Sequence, residues 1–135
     1  MELADFDKNK VICRWIESSD DDFETMVAMF ERKRYSWCLF VGHLVIEKLL
    51  KAVFVKTNNN HPPFIHNLLR LAEMSKIEMN EEQRTFFITV TAFNINARYD
   101  DYKRSFYQTC TAEFTSFWFN QIKNQRKWIK SLIEQ

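Results

Sequence analysis

The chain has 135 residues, of which 46% are hydrophobic, and its 19 basic residues nearly balance its 18 acidic ones. This composition is typical of one ordinary domain and excludes a molecule that binds polyanions through its overall charge. A single glycine and two prolines exclude glycine-rich phosphate loops and disfavour an all-β fold with many tight turns. We therefore predict one all-α domain over residues 1–135, with its core at about residues 11–132.

Acidic residues are concentrated near the N-terminus. Residues 1–31 carry nine acidic and three basic residues, so the rest of the chain has an excess of positive charge and room for a local basic site. No apolar run of signal-peptide or membrane-spanning type occurs, which predicts a cytoplasmic protein without membrane association.

The three cysteines predict neither disulfides nor a metal framework. Cys13, Cys38 and Cys110 lie far apart in apolar stretches without the C-x-x-C spacing, which indicates buried thiols in a reducing compartment. The only closely spaced histidines are His61 and His66, too few for a zinc site. We expect no metal and no cofactor.

In chain order, residues 11–30 are predicted to form the first helix, because large apolar residues recur there every three or four positions. Ser19 and Asp20 interrupt this stripe on the side that leans toward the core. Two interpretations are open: a helix with a wet or kinked middle, or a role for Asp20 as the partner of a basic group on another helix.

Residues 34–56 form the second predicted helix, which is apolar around most of its circumference. Such a helix is either central to the domain or shared with a partner subunit. Self-association is therefore predicted. Residues 57–63 combine asparagines with two prolines and read as a surface loop.

Three more helices are predicted in the second half of the chain. Residues 66–74 form a short helix, Asn80 caps a fourth helix that runs to Ala97, and residues 111–132 form the last. Between them, residues 98–107 are polar and aromatic without a clear period. The expected architecture is an up-and-down bundle of four to five helices.

The segment 98–104 has the composition of a ligand site. Arginine holds phosphate through paired hydrogen bonds and tyrosine stacks on bases, so Arg98, Tyr99, Lys103 and Arg104 are candidates for nucleotide or RNA contacts. Asp100 lies among them and places a negative charge near any bound phosphate.

A structural interpretation of this segment is equally open. In it, Arg98 pairs with Asp20 or Glu47 to join helices, and Tyr99 packs on the bundle.

Two histidines are weighed in the same way. His43 and Glu47 are one helical turn apart and share a face, so they are candidates for a polar pocket, although a buried structural role is favoured for His43. His66 is explained equally well by a helix-start role in which its ring bonds nearby backbone.

Three motifs resemble those of HEPN domains, the higher eukaryote and prokaryote nucleotide-binding domains. Residues 43–52, HLVIEKLLKA, are similar to the family's AvEKaLKA helix; residues 66–71, HNLLRL, to its H-x-L-x-x-L helix; and residues 97–100, ARYD, to its ARYP helix end. The resemblance implies a helical bundle that dimerises, a nucleotide or RNA site between subunits, and a nucleotidyltransferase partner of the kind found in toxin–antitoxin pairs.

The chain departs from the family pattern at two positions. HEPN ribonucleases carry an arginine, four to six further residues and then a histidine, but the corresponding positions after Arg98 hold Lys103, Arg104 and Ser105. Asp100 also replaces the family's proline. We therefore predict a binding module that is not catalytic alone.

Two alternatives stay open. One is a metal-independent endoribonuclease in which His43 or His66 replaces the missing histidine. The other is a structural oligomerisation scaffold.

Overall fold

The computed structural model describes residues 3–135, apart from the side chains at positions 5 and 6. Within that range the chain forms helices and no strands, which confirms the all-α prediction, and residues 1 and 2 of the predicted domain lie outside it. Six helices follow one another along the chain: α1 (Asp5–Glu31), α2 (Tyr35–Asn58), α3 (Leu68–Met74), α4 (Glu81–Arg98), α5 (Asp100–Thr109) and α6 (Ala112–Glu134).

Helix α2 is the centre of the bundle. It contacts each of the other five helices, and most of its residues from Cys38 to Val55 are buried. Its apolar circumference is thus covered within one chain. At Gly42 an added Cβ would lie 2.6 Å from Cδ1 of Ile122, so glycine allows α6 to pack closely against α2. None of the described helices is long and apolar enough to cross a bilayer.

Helix α1 begins at Asp5, earlier than predicted, because its first turns are polar and give no apolar period. The interrupted stripe in its middle has a definite structure. Ser19 is buried and its Oγ donates to the carbonyl of Val45 at 2.8 Å. Asp20 accepts from Arg126 of α6 at 2.9 Å and lies 2.7 Å from Nζ of Lys130, which agrees with the second of the two open interpretations, a pairing with basic groups on another helix.

Side chains at the helix ends explain several boundaries. Asn80 and Gln83 form a capping box at the start of α4, as predicted from Asn80. Asn67 caps α3 by accepting from the backbone N–H of Arg70, so this helix starts after His66 and not at it. Near the end of α2, Nζ of Lys56 donates to the carbonyls of Leu132 and Ile133 in the last turn of α6, which ties the C-terminal helix to α2.

Helix α5 replaces the irregular segment predicted after Arg98. Its only buried side chain is Phe106, whose ring centre lies 5.5 Å from that of Phe93. Because only one residue of this ten-residue helix is buried, the sequence shows no apolar period there. Asp100 and Asp101 lie in its first turn, where carboxylates are favoured by the helix dipole. Tyr99 has an extended backbone that ends α4 and begins α5.

The cysteines differ in exposure. Cys38 and Cys110 are buried, and burial raises the pKa of each thiol to about 12. Cys13 is exposed on α1, so the prediction of a buried thiol is wrong there. Cys13 comes directly after Ile12 of the apolar stripe in the sequence, but it lies on the solvent side of the helix.

Candidate functional site

A groove of about 520 Å³ opens where the start of α2 meets α5, and we call it the α2–α5 groove. Residues from both helices line it, with one residue from the end of α4. They are Ser36, Trp37, Ala97, Lys103, Arg104, Tyr107 and Gln108. Two of the four residues predicted to bind a ligand therefore lie together, beside groove residues that were not predicted.

The groove has a positive character. Lys103 and Arg104 are exposed on α5, and the exposed turn Arg32–Lys33–Arg34 directly precedes the groove residues of α2. An acidic residue offsets part of this charge, since Oδ1 of Asp100 lies 3.5 Å from Nζ of Lys103. The lining itself contains two cationic side chains and no carboxylate, which favours an anionic ligand.

The first turn of α2, which contributes to the groove, has no side-chain cap. Its N-cap residue, Arg34, forms no side-chain cap, and the turn contains no acidic residue. The first N–H groups of a helix have no partner within the helix. Ser36 and Trp37 lie in this turn, so the groove combines two cationic side chains with the uncapped start of a helix.

Arg98 and Tyr99 do not make the contacts that the structural interpretation predicted. Nη1 of Arg98 donates to Oδ1 of Asn94 at 3.3 Å, and within the described residues it forms no ion pair with Asp20 or Glu47, so those predicted pairings are wrong. Tyr99 is 58% exposed and is not packed into the bundle. Both residues follow Ala97, the α4 residue of the groove, without lining the groove themselves.

A second polar cluster is centred on Glu47 of α2, which is 4% exposed. Its Oε1 lies 2.8 Å from Nδ1 of His66, and its Oε2 accepts from Nζ of Lys51 at 3.1 Å. The ring of His66 thus bonds a carboxylate, and not nearby backbone as the helix-start interpretation expected. Lys51 was not predicted, and its ammonium also lies 5.3 Å from the ring centre of Trp15.

His43 is fully buried in this cluster. Its Nε2 lies 3.0 Å from the carbonyl oxygen of His66, which only accepts, so Nε2 carries the proton. Its distance to Glu47, 3.8 Å, is too long for the predicted hydrogen bond. Burial lowers the pKa of His43, although the carbonyl of His66 and the charge of Glu47 act in the opposite direction. The residue is therefore neutral and structural.

Comparison with known proteins identifies the family. The family model described as HEPN domain matches residues 12–132. The chain belongs to the HEPN family. No curated protein and no solved structure matches it.

The HEPN motifs map onto the two polar regions. Residues 43–52 lie on α2 and contain His43, Glu47 and Lys51, whereas residues 97–100 join α4 to α5 beside the groove. HEPN domains often dimerise and bind nucleotides or RNA. In the part of the chain that the structure describes, no group of three or more metal-ligating side chains is placed to hold an ion.

Sequence reasoning missed Trp37 and Tyr107 because both read as part of apolar or irregular stretches. A usable signal was present for Trp37. It follows the basic run at residues 32–34, and a tryptophan next to clustered cations at a helix start is a pattern suited to nucleic-acid contacts.

Proposed function

We propose that this HEPN domain binds the phosphates of a nucleotide or RNA in the α2–α5 groove and does so without cleaving it. One observation carries this proposal: Lys103 and Arg104 of α5 lie in one groove with the uncapped first turn of α2. Cationic side chains and free backbone N–H groups at a helix start are both favourable partners of phosphate.

The remaining candidates have supporting roles in this proposal. The guanidinium of Arg98 is held by Asn94 and extends the positive surface beyond Ala97. Tyr99 is an exposed ring next to it, available for a base or a partner. Asp100 moderates the attraction, because it already engages Lys103, so we expect binding of modest affinity that salt weakens.

Fluorescence anisotropy with a labelled short single-stranded RNA tests the proposal. A variant carrying Lys103→Glu and Arg104→Glu should bind at least tenfold more weakly than the wild type, and the slope of log affinity against log salt should fall by about two. The matched control carries Lys123→Glu and Lys127→Glu, which reverse two exposed charges on α6.

Equal losses in the groove variant and the control variant would show that charge alone, and not the groove, determines binding. An absence of binding by the wild type at low salt would overturn the proposal and favour the oligomerisation scaffold.

A second candidate function, metal-independent RNA cleavage, is supported by the contact between His66 and Glu47. A carboxylate that accepts from Nδ1–H orients the imidazole and leaves Nε2 free to take the proton of an attacking 2′-hydroxyl. The side chain of His66 is 54% exposed and accessible to a substrate. His43 is unsuitable for this role because it is fully buried.

A gel assay of RNA integrity distinguishes the two functions. Under the first proposal, the wild type leaves the RNA intact. Cleavage that His66→Ala abolishes, and that the exposed control His61→Ala spares, would favour the second candidate instead.

We also propose the partners that the family resemblance implied. Homodimer formation is supported by exposed apolar side chains outside the groove, since Ile88 and Ile95 of α4 and Phe117 of α6 are 57%, 44% and 56% exposed. Sedimentation of the wild type and of Ile88→Glu tests it, with a shift to monomer expected in the variant.

A nucleotidyltransferase partner, as in toxin–antitoxin pairs, is tested by co-purification after co-expression.

A further inference from the structure

Trp37 is the most exposed indole of the chain, at 47%, yet it is in contact with a second aromatic ring. It packs edge-on against Phe40, one turn further along α2, with ring centres 5.8 Å apart and planes at 86°. Trp15, Trp118 and Trp128, by contrast, pack against the two apolar cores. A half-exposed aromatic ring that its neighbour already holds in place loses little conformational entropy when it binds a ligand.

The groove surrounds this ring with groups suited to a nucleobase. Tyr107, which is 72% exposed, contributes a second ring, and the amide of Gln108 offers both donor and acceptor groups. Lys103 and Arg104 line the same groove and provide positive charge for a phosphate. The groove volume, about 520 Å³, falls in the range of about 300–1,000 Å³ found for small-ligand sites.

We propose that Trp37 is the stacking platform of a base subsite in the α2–α5 groove, so that the ligand is an unpaired nucleobase attached to a phosphate. This inference rests on the proposed function and narrows it. Aromatic side chains stack on any base, because every base has a π-face, but only an unpaired base can expose that face. The subsite therefore accepts single strands or nucleotides and disfavours duplexes.

The experiment compares ligands and Trp37 variants in one binding assay. The ligands are a short oligouridine, the corresponding single-stranded DNA, uridine monophosphate, a short duplex RNA and inorganic polyphosphate. The variants are Trp37→Phe and Trp37→Leu. The matched control is Phe64→Leu, which shortens a fully exposed aromatic side chain in the loop between α2 and α3.

We expect Trp37→Leu to weaken oligouridine binding by roughly tenfold or more, Trp37→Phe to have an intermediate effect, and Phe64→Leu to have none. Tryptophan fluorescence should fall when oligouridine binds, and this fall should disappear in Trp37→Phe. Equal binding of single-stranded DNA would mean that the sugar is not read. Trp37-dependent binding of uridine monophosphate would identify a free nucleotide as a sufficient ligand. Both outcomes support the subsite.

Oligouridine binding that is unchanged in Trp37→Leu but still lost in the Lys103→Glu, Arg104→Glu variant would overturn the base subsite and leave the phosphate groove intact. Duplex RNA or polyphosphate bound as tightly as oligouridine would have the same meaning. A wild type that binds none of the five ligands would overturn the proposed function together with this inference.

Discussion

Asp20 joins the first helix of the bundle to the last. It lies on α1 and bonds Arg126 and Lys130 of α6, while the guanidinium of Arg126 lies 4.0 Å from the ring centre of Phe23. Burial acts to raise the pKa of Asp20, but the hydrogen bonds and charges of Lys130 and Arg126 outweigh it and lower the pKa overall. The ionised form of Asp20 is therefore favoured more strongly in the folded protein than in the unfolded chain.

Replacing this carboxylate should destabilise the fold by a modest amount. We expect Asp20→Ala to lower the free energy of unfolding by about 1 kcal/mol, since the side chain of Asp20 is 43% exposed and solvent screens its ion pairs. Urea denaturation measures the change. The matched control is Asp21→Ala, which removes an exposed carboxylate from the next position. Equal unfolding midpoints for the two variants would contradict the role assigned to Asp20.

His43 should make the free energy of unfolding depend on pH below about pH 6.5. Its pKa in the folded protein is below the ordinary value of 6.5, so its contribution is present in full above pH 6.5. That contribution is lost as the pH falls from 6.5 toward the lower folded pKa, because the unfolded chain takes up the proton first. The loss is at most about 1.4 kcal/mol per pH unit.

Urea denaturation at a series of pH values from 8 downward tests this prediction. His43→Gln should flatten the dependence below pH 6.5, whereas the exposed His61→Gln should leave it unchanged. A wild-type unfolding midpoint that stays constant below pH 6.5 would disprove the assignment.

The contact between α2 and α6 depends on the absence of a side chain at Gly42. A Cβ there would lie 2.6 Å from Cδ1 of Ile122 and 3.1 Å from Sδ of Met26. Overpacking of this kind costs typically 1–3 kcal/mol, and alanine regains about 1 kcal/mol through helix propensity. We expect Gly42→Ala to destabilise the protein by about 1 kcal/mol.

A double-mutant cycle checks the cause. Ile122→Val removes Cδ1, so the double variant should be more stable than the sum of the two single changes predicts. Strict additivity of the two effects would exclude a clash between these side chains.

Apolar periodicity and caps were sufficient to predict five of the helices, because each buries a stripe of large side chains. Helix α5 was missed because it buries Phe106 alone, and its helical form depends on packing against Phe93. The candidate site was predicted only in part, because some of its residues come together only in the folded chain. Lys103 and Arg104 were visible as a basic segment, but Trp37 joins them only through the tertiary contact between α2 and α5.

The ion pairs could not be predicted from sequence spacing. Arg98 at the end of α4 was the expected partner of Asp20, but the residue that donates to Asp20 is Arg126 on α6. The choice depends on which helices are neighbours around α2, and a single sequence contains no direct signal for that order.

The reactivity of the three thiols reports on the unfolding of the protein. Cys13 is exposed, whereas Cys38 and Cys110 are buried with pKa values of about 12. Because the thiolate is the reactive form, an alkylating reagent at pH 8 should modify Cys13 rapidly. The other two cysteines should react only when the core opens. Mass spectrometry of peptides from the native protein measures the three rates, and fast labelling of Cys38 would contradict the buried position.

The central position of α2 has a consequence for the chain during its synthesis. Helix α1 is made before α2 and covers one side of it at once, but α6 covers another side and is separated from α2 by residues 59–111. Ribosomes add about 5–20 residues per second, so the most apolar helix waits several seconds for its last neighbour. During that interval the nascent chain exposes the future core as a binding surface for chaperones.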